Sequence, residues 1–175
     1  MKKIFISLTI LLALLAVLSV ASAGAGGTSD NFAAQLSGRD EAPIPRETNA
    51  RGVATFKLNS DGSALGYTLN VANIENVVAA HIHCGGQGVA GPVGVTLFSG
   101  GTPGGGRFDG VLAQGTITAP DPGNPNPCGW STLSDVLTAI RSGNTYVNVH
   151  TNDGVAPINS GPGDFPGGEI RGQIK

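Results

Sequence analysis

Short segments of alternating apolar and polar residues, separated by turn chemistry, run along most of this chain, and that pattern predicts an all-β fold. Phe32 to Leu36 opens it as a first strand. Val53 to Leu58 sets Ala54, Phe56 and Leu58 against Val53, Thr55 and Lys57, so that one face is apolar. Ser60-Asp61-Gly62-Ser63 then reads as a hairpin turn, with Gly62 free to take positive φ. Leu65 to Val71 returns with Leu65, Tyr67, Leu69 and Val71 on one face. Val77 to His83, Val93 to Phe98, Val111 to Ile117, Thr145 to Thr151 and Glu169 to Ile174 complete the predicted strands. One segment has a different period. Leu133, Val136, Leu137 and Ile140 follow the i, i+3, i+4, i+7 spacing of a helix. Thr132 and Asp135 supply a capping box before it, and Gly143 a stop after it. This helix is expected to cover one end of the sheets.

The amino terminus follows another rule. Lys2 and Lys3 precede an apolar run from Ile4 to Val20, and Ala21-Ser22-Ala23 gives the small-x-small pattern of a cleavage site. Residues 1–23 are therefore expected to be a secretory signal, 24–31 a flexible leader and 32–175 one folded domain. No later segment is apolar enough to span a bilayer. The expected location is secreted or extracytoplasmic, in a periplasm or at a cell surface.

Composition adds exclusions. With 10 Lys and Arg against 12 Asp and Glu there is no basic stripe, so nucleic acid is not an expected partner. The 28 glycines and 11 prolines fit many turns and few helices. The glycine-rich Gly85-Gly86-Gln87-Gly88 is not followed by Lys-Ser or Lys-Thr and does not join a strand to a helix, which excludes a phosphate loop.

Candidate chemistry concentrates in the histidines. All three lie in strand motifs: His81 and His83 in Ala79-Ala80-His81-Ile82-His83-Cys84-Gly85, and His150 in Tyr146-Val147-Asn148-Val149-His150-Thr151. Residues i and i+2 of a strand share a face, so His81 and His83 project together and another strand can bring His150 to them. Three neutral imidazoles suit one copper or zinc ion, and the affinity order favours copper. Asn148 shares a face with His150 and is a candidate to accept a ligand's second N–H. Glu169 and Arg171 share a face on the last strand. Their ordinary reading is an ion pair with a neighbouring strand; their functional one is Glu169 orienting a histidine and Arg171 drawing an anion toward the metal. Asp153 and Asp164 are lesser candidates for an oxygen ligand. Cys84 and Cys128 are the only cysteines. A disulfide is the default in an exported chain, and a Cys84 thiolate ligand is the alternative. Nothing in the spacing supports a Ser-His-Asp nucleophile.

These motifs, with Leu36-Ser37-Gly38, Glu41-Ala42-Pro43, Gly91-Pro92-Val93 and Gly168-Glu169-Ile170-Arg171-Gly172-Gln173-Ile174, resemble the CHRD domain, named from chordin and widespread in secreted microbial proteins. The resemblance runs from about Phe32 to Lys175. It implies a Greek-key-like antiparallel β-sandwich or barrel with one short helix, in an extracellular setting, and admits an extracellular protein partner. The His-x-His pair with a later strand histidine is also similar to the copper site of copper–zinc superoxide dismutase. The chain has no fourth histidine and none for a bridged zinc, so a binuclear enzyme is not expected. The expected function is extracytoplasmic handling of one copper or zinc ion. The alternatives are a mononuclear superoxide dismutase-like enzyme and a metal-free interaction module.

Overall fold

A computed structural model describes residues 31–123 and 126–175. The expected signal segment and all but the last residue of the expected leader lie outside the described residues. Eight strands form one antiparallel sheet: β1 (Asn31–Ser37), β2 (Arg51–Leu58), β3 (Leu65–Glu75), β4 (Val77–Cys84), β5 (Val93–Phe98), β6 (Arg107–Ile117), β7 (Thr145–Thr151) and β8 (Ile170–Gln173). Their order is β5-β4-β7-β8-β1-β2-β3-β6. The sheet curls into a nearly closed barrel, and Tyr67 of β3 donates to the Leu97 carbonyl of β5 at 2.8 Å, linking one edge strand to the strand beside the other edge. The expected all-β architecture is thus realised as a barrel-like sheet with one short helix among the described residues, α1 (Leu133–Arg141).

The alternation seen in the sequence sets the inside of the barrel. Phe32, Ala34 and Leu36 of β1, Ala54 and Phe56 of β2, Ile82 of β4 and Val147 and Val149 of β7 are buried in one apolar core. The buried Leu133, Val136, Leu137 and Ile140 of α1 join it. Thr132 and Asp135 form the expected capping box, and Gly143, at φ 68°, closes the helix. Trp130 lies so close over β5 that a Cβ at Gly94 would overlap its ring.

Two strands extend four residues beyond the ends that the alternation predicts. β3 continues to Glu75 through a register shift that contains Asn73 at φ 55°, and β6 starts at Arg107 to pair with it. The shift breaks the period of two, which hides the extension from the pattern.

β7 is the exception to half-burial, because every one of its residues is buried. Val147 and Val149 face the core. Tyr146, Asn148 and His150 point outward and are buried under three loops, which run over residues 38–50, 85–92 and 152–169. A polar layer thus lies between sheet and loops on this side.

Candidate metal centre

Strand register assembles the site. His81 of β4 lies opposite Asn148 of β7, which lies opposite Arg171 of β8. His83 lies opposite Tyr146, which lies opposite Gln173, and His150 lies opposite Ala79. Directly opposed residues of an antiparallel pair share a face, so all three imidazoles converge outside the barrel. One ring nitrogen from each of His81, His83 and His150 lies within 4.8 Å of the others.

Two of these imidazoles have a defined tautomer. His83 Nδ1 is 2.9 Å from the Gly91 carbonyl, and His150 Nδ1 is 3.0 Å from the Pro166 carbonyl. A carbonyl can only accept, so each Nδ1 carries the hydrogen and each neutral Nε2 presents a lone pair. The two Nε2 atoms face each other at 3.4 Å. Without a cation between them, this is an acceptor against an acceptor. Two nitrogens about 2.0–2.1 Å from a shared ion at a tetrahedral angle sit about 3.4 Å apart. His81 is half-buried and its Nδ1 has no hydrogen-bond partner. Its ring centroid is 5.0 Å from that of His150 and 5.6 Å from that of His83.

The electrostatics keep the cluster neutral. Burial pushes His83 and His150 down to about 4. For His83 the Gly91 carbonyl opposes that shift, while His81 and Arg171 add to it. For His150 the neighbouring His81 and His83 add to it, against the Pro166 carbonyl. His81 is lowered by burial, against the pull of Asp121. At neutral pH all three are free bases, the form a metal binds.

The surroundings hold these orientations. Tyr146 stacks on His83 with centroids 4.9 Å apart and planes 9° from parallel. Its hydroxyl oxygen accepts from the Gly91 amide at 2.9 Å, so ring and hydroxyl fix the same loop whose carbonyl fixes His83. Gly91 is glycine for a steric reason: a Cβ there would overlap the Cys84 carbonyl.

The other candidates are placed as follows. Asn148 is buried opposite His81, but its amide donates to Glu41 Oε2 at 3.4 Å and its Oδ1 has no partner, so it accepts from no imidazole. Glu169 is fully buried; it accepts from Thr48 Oγ1 at 2.6 Å, Thr151 Oγ1 at 2.7 Å and the Gly163 amide at 2.9 Å, and bonds to no histidine and no cation. Arg171 donates to the Gly86 carbonyl at 2.9 Å and lies 3.4 Å over the Tyr146 ring, with that ring between it and His83. The ion pair expected for Glu169 and Arg171 is absent, since the one ion pair among the described residues joins Arg107 to Asp109. Each finds neutral partners instead. Asp153 and Asp164 accept from backbone amides of their own loop and stand outside the histidine cluster. Cys84 is bonded to Cys128, with Cα atoms 5.8 Å apart, which removes the thiolate alternative. Sequence reasoning missed Gly91, Pro166, Tyr146 and Glu41. Tyr146 carried a signal in its shared face with His150, and Glu41 and Gly91 lie in motifs that carry the family resemblance.

Fold and site together describe an antiparallel barrel with a largely buried three-histidine cluster on its outer face. The family model of the CHRD domain matches residues 32–174, and the chain belongs to that family. No curated protein and no solved structure matches it. Among the described residues no helix is long and apolar enough to cross a membrane.

Proposed function

We propose that this CHRD-domain protein binds a single copper or zinc ion through His81, His83 and His150 and serves in metal handling outside the cytoplasm. The observation that carries the reading is the pair of Nε2 lone pairs held 3.4 Å apart by carbonyls on the far side of each ring, with a third imidazole beside them. Three neutral nitrogens suit Cu(II) and Zn(II), with copper favoured by the affinity order. Export is supported by the Cys84–Cys128 bond, which persists in oxidising compartments, and by the signal-like residues 1–23.

Thermal melting of the chelator-treated protein tests the reading. A metal that binds only the folded chain stabilises it by about 2.7 kcal/mol at a hundredfold excess over Kd. A rise in Tm with Cu(II) or Zn(II) that disappears in His83→Ala and in His150→Ala supports the reading. A Tm that does not rise with either metal, or rises equally in the variants, defeats it.

A further inference from the structure

Beside the histidines, on the far side of Tyr146, the structure holds a second feature that metal binding leaves unexplained. Arg171 is 2% exposed, yet it forms no ion pair. Its guanidinium makes one hydrogen bond to a protein atom, the Gly86 carbonyl, and lies on the Tyr146 ring. Removing a cation from water without a counter-charge is expensive, and a cation–π contact offsets only part of that cost. The side chain forms a wall of a half-enclosed pocket of about 540 Å³ between the outer face of β1 and β8, the turn at residues 38–41 and the 85–92 loop. Arg39 lines the same pocket, and Lys175 stands at its exposed rim. Gln35 and Gln87 add side-chain amides.

The acids present offset this charge only in part: Glu41 and Asp40 act on Arg171 through space, and neither forms an ion pair with it. Asp40 lines the pocket but is exposed and accepts from the Ser37 hydroxyl at 2.6 Å. Glu41 is buried there, and burial pushes its carboxyl up to about 7, so that at neutral pH it carries only part of a negative charge. The volume falls in the range of small-molecule sites.

We propose that this pocket binds a small oxyanion, a carboxylate or a phosphate, gripped by Arg171 and Arg39. The planar guanidinium fork matches both groups with two parallel N–H donors. The site is distinct from the histidine cluster and does not depend on a metal.

Calorimetric titration of the chelator-treated protein with citrate, and separately with inorganic phosphate, in a chloride-poor buffer tests this. One saturable site is expected for at least one probe, and the stronger of the two identifies carboxylate or phosphate as the preferred group. Arg171→Gln is expected to weaken binding by more than about tenfold, and the exposed Arg39→Gln by about threefold or more. His150→Ala, which removes a metal ligand, is expected to leave anion binding within about twofold, because its ring does not line the pocket. Absence of saturable binding by either probe overturns the proposal. So does binding that Arg39→Gln leaves unchanged; that variant decides the matter if Arg171→Gln fails to fold.

Discussion

Truncation of Glu169 to alanine tests how the loops hold the histidines. The carboxylate is fully buried and accepts three hydrogen bonds, at 2.6, 2.7 and 2.9 Å. One donor, Thr48, belongs to the 38–50 loop; another, the Gly163 amide, belongs to the 152–169 loop. The third, Thr151, also accepts from the Phe165 amide at 2.9 Å. Pro166 follows immediately, and its carbonyl is the one that fixes His150. Glu169 therefore reaches His150 through the loop. Hydrogen bonds to a charged acceptor are worth about 1.5–3 kcal/mol each. The two hydroxyls can turn to other acceptors while the buried Gly163 amide cannot, so the expected loss is about 3–5 kcal/mol rather than the full sum. Urea denaturation of the metal-free protein measures it. Metal affinity of the folded variant is expected to fall by about 10- to 100-fold, the usual cost of removing a group that orients a ligand. A loss under about 1 kcal/mol would refute the energetic argument. Unchanged metal affinity would refute the link to His150.

Three further outcomes follow from the same contacts. Metal-free stability is expected to depend on pH through His83 and His150, whose folded values of about 4 lie below the ordinary 6.5. The unfolded chain binds more protons in that window, so stability is complete above 6.5 and declines by a few kcal/mol as pH falls toward 4, a decline that His83→Ala and His150→Ala each reduce in denaturation curves. Replacing both Cys84 and Cys128 with serine opens a link of sequence separation 44 and is expected to cost about 4 kcal/mol in the chain-entropy model, read from urea midpoints. Gly91→Ala forces a Cβ into the Cys84 carbonyl, so a loss of about 2 kcal/mol or more is expected, together with at least about tenfold weaker metal binding as the His83 anchor shifts.

The strands and the helix were legible because their signals are local. Alternation in β2 and the Thr132–Asp135 capping box each lie within a few residues, and the structure keeps both. The histidine cluster was legible for a related reason: His81 and His83 share a face by period alone, and the remaining histidine, His150, lies in a strand motif that another strand could bring to them. What surrounds the cluster was not legible. His83 and His150 are held by backbone carbonyls, which every residue has, so no side-chain type marks Gly91 or Pro166. Tyr146, Asn148 and His150 alternate with valines as a solvent-facing set would, and only the three loops above them make that face buried. Glu169 and Arg171, charged residues sharing a face on the last strand, suggested an ion pair with a neighbouring strand. Their actual partners are distant in sequence: Thr48 is 121 residues from Glu169, and Gly86 is 85 from Arg171.

The central claim is that His81, His83 and His150 form one metal site, and copper titration of residues 24–175 tests it most directly, read by calorimetry and electron paramagnetic resonance. The account predicts one tight site with nitrogen hyperfine structure, abolished by His83→Ala and by His150→Ala. Weak, non-stoichiometric binding that survives both substitutions would contradict it.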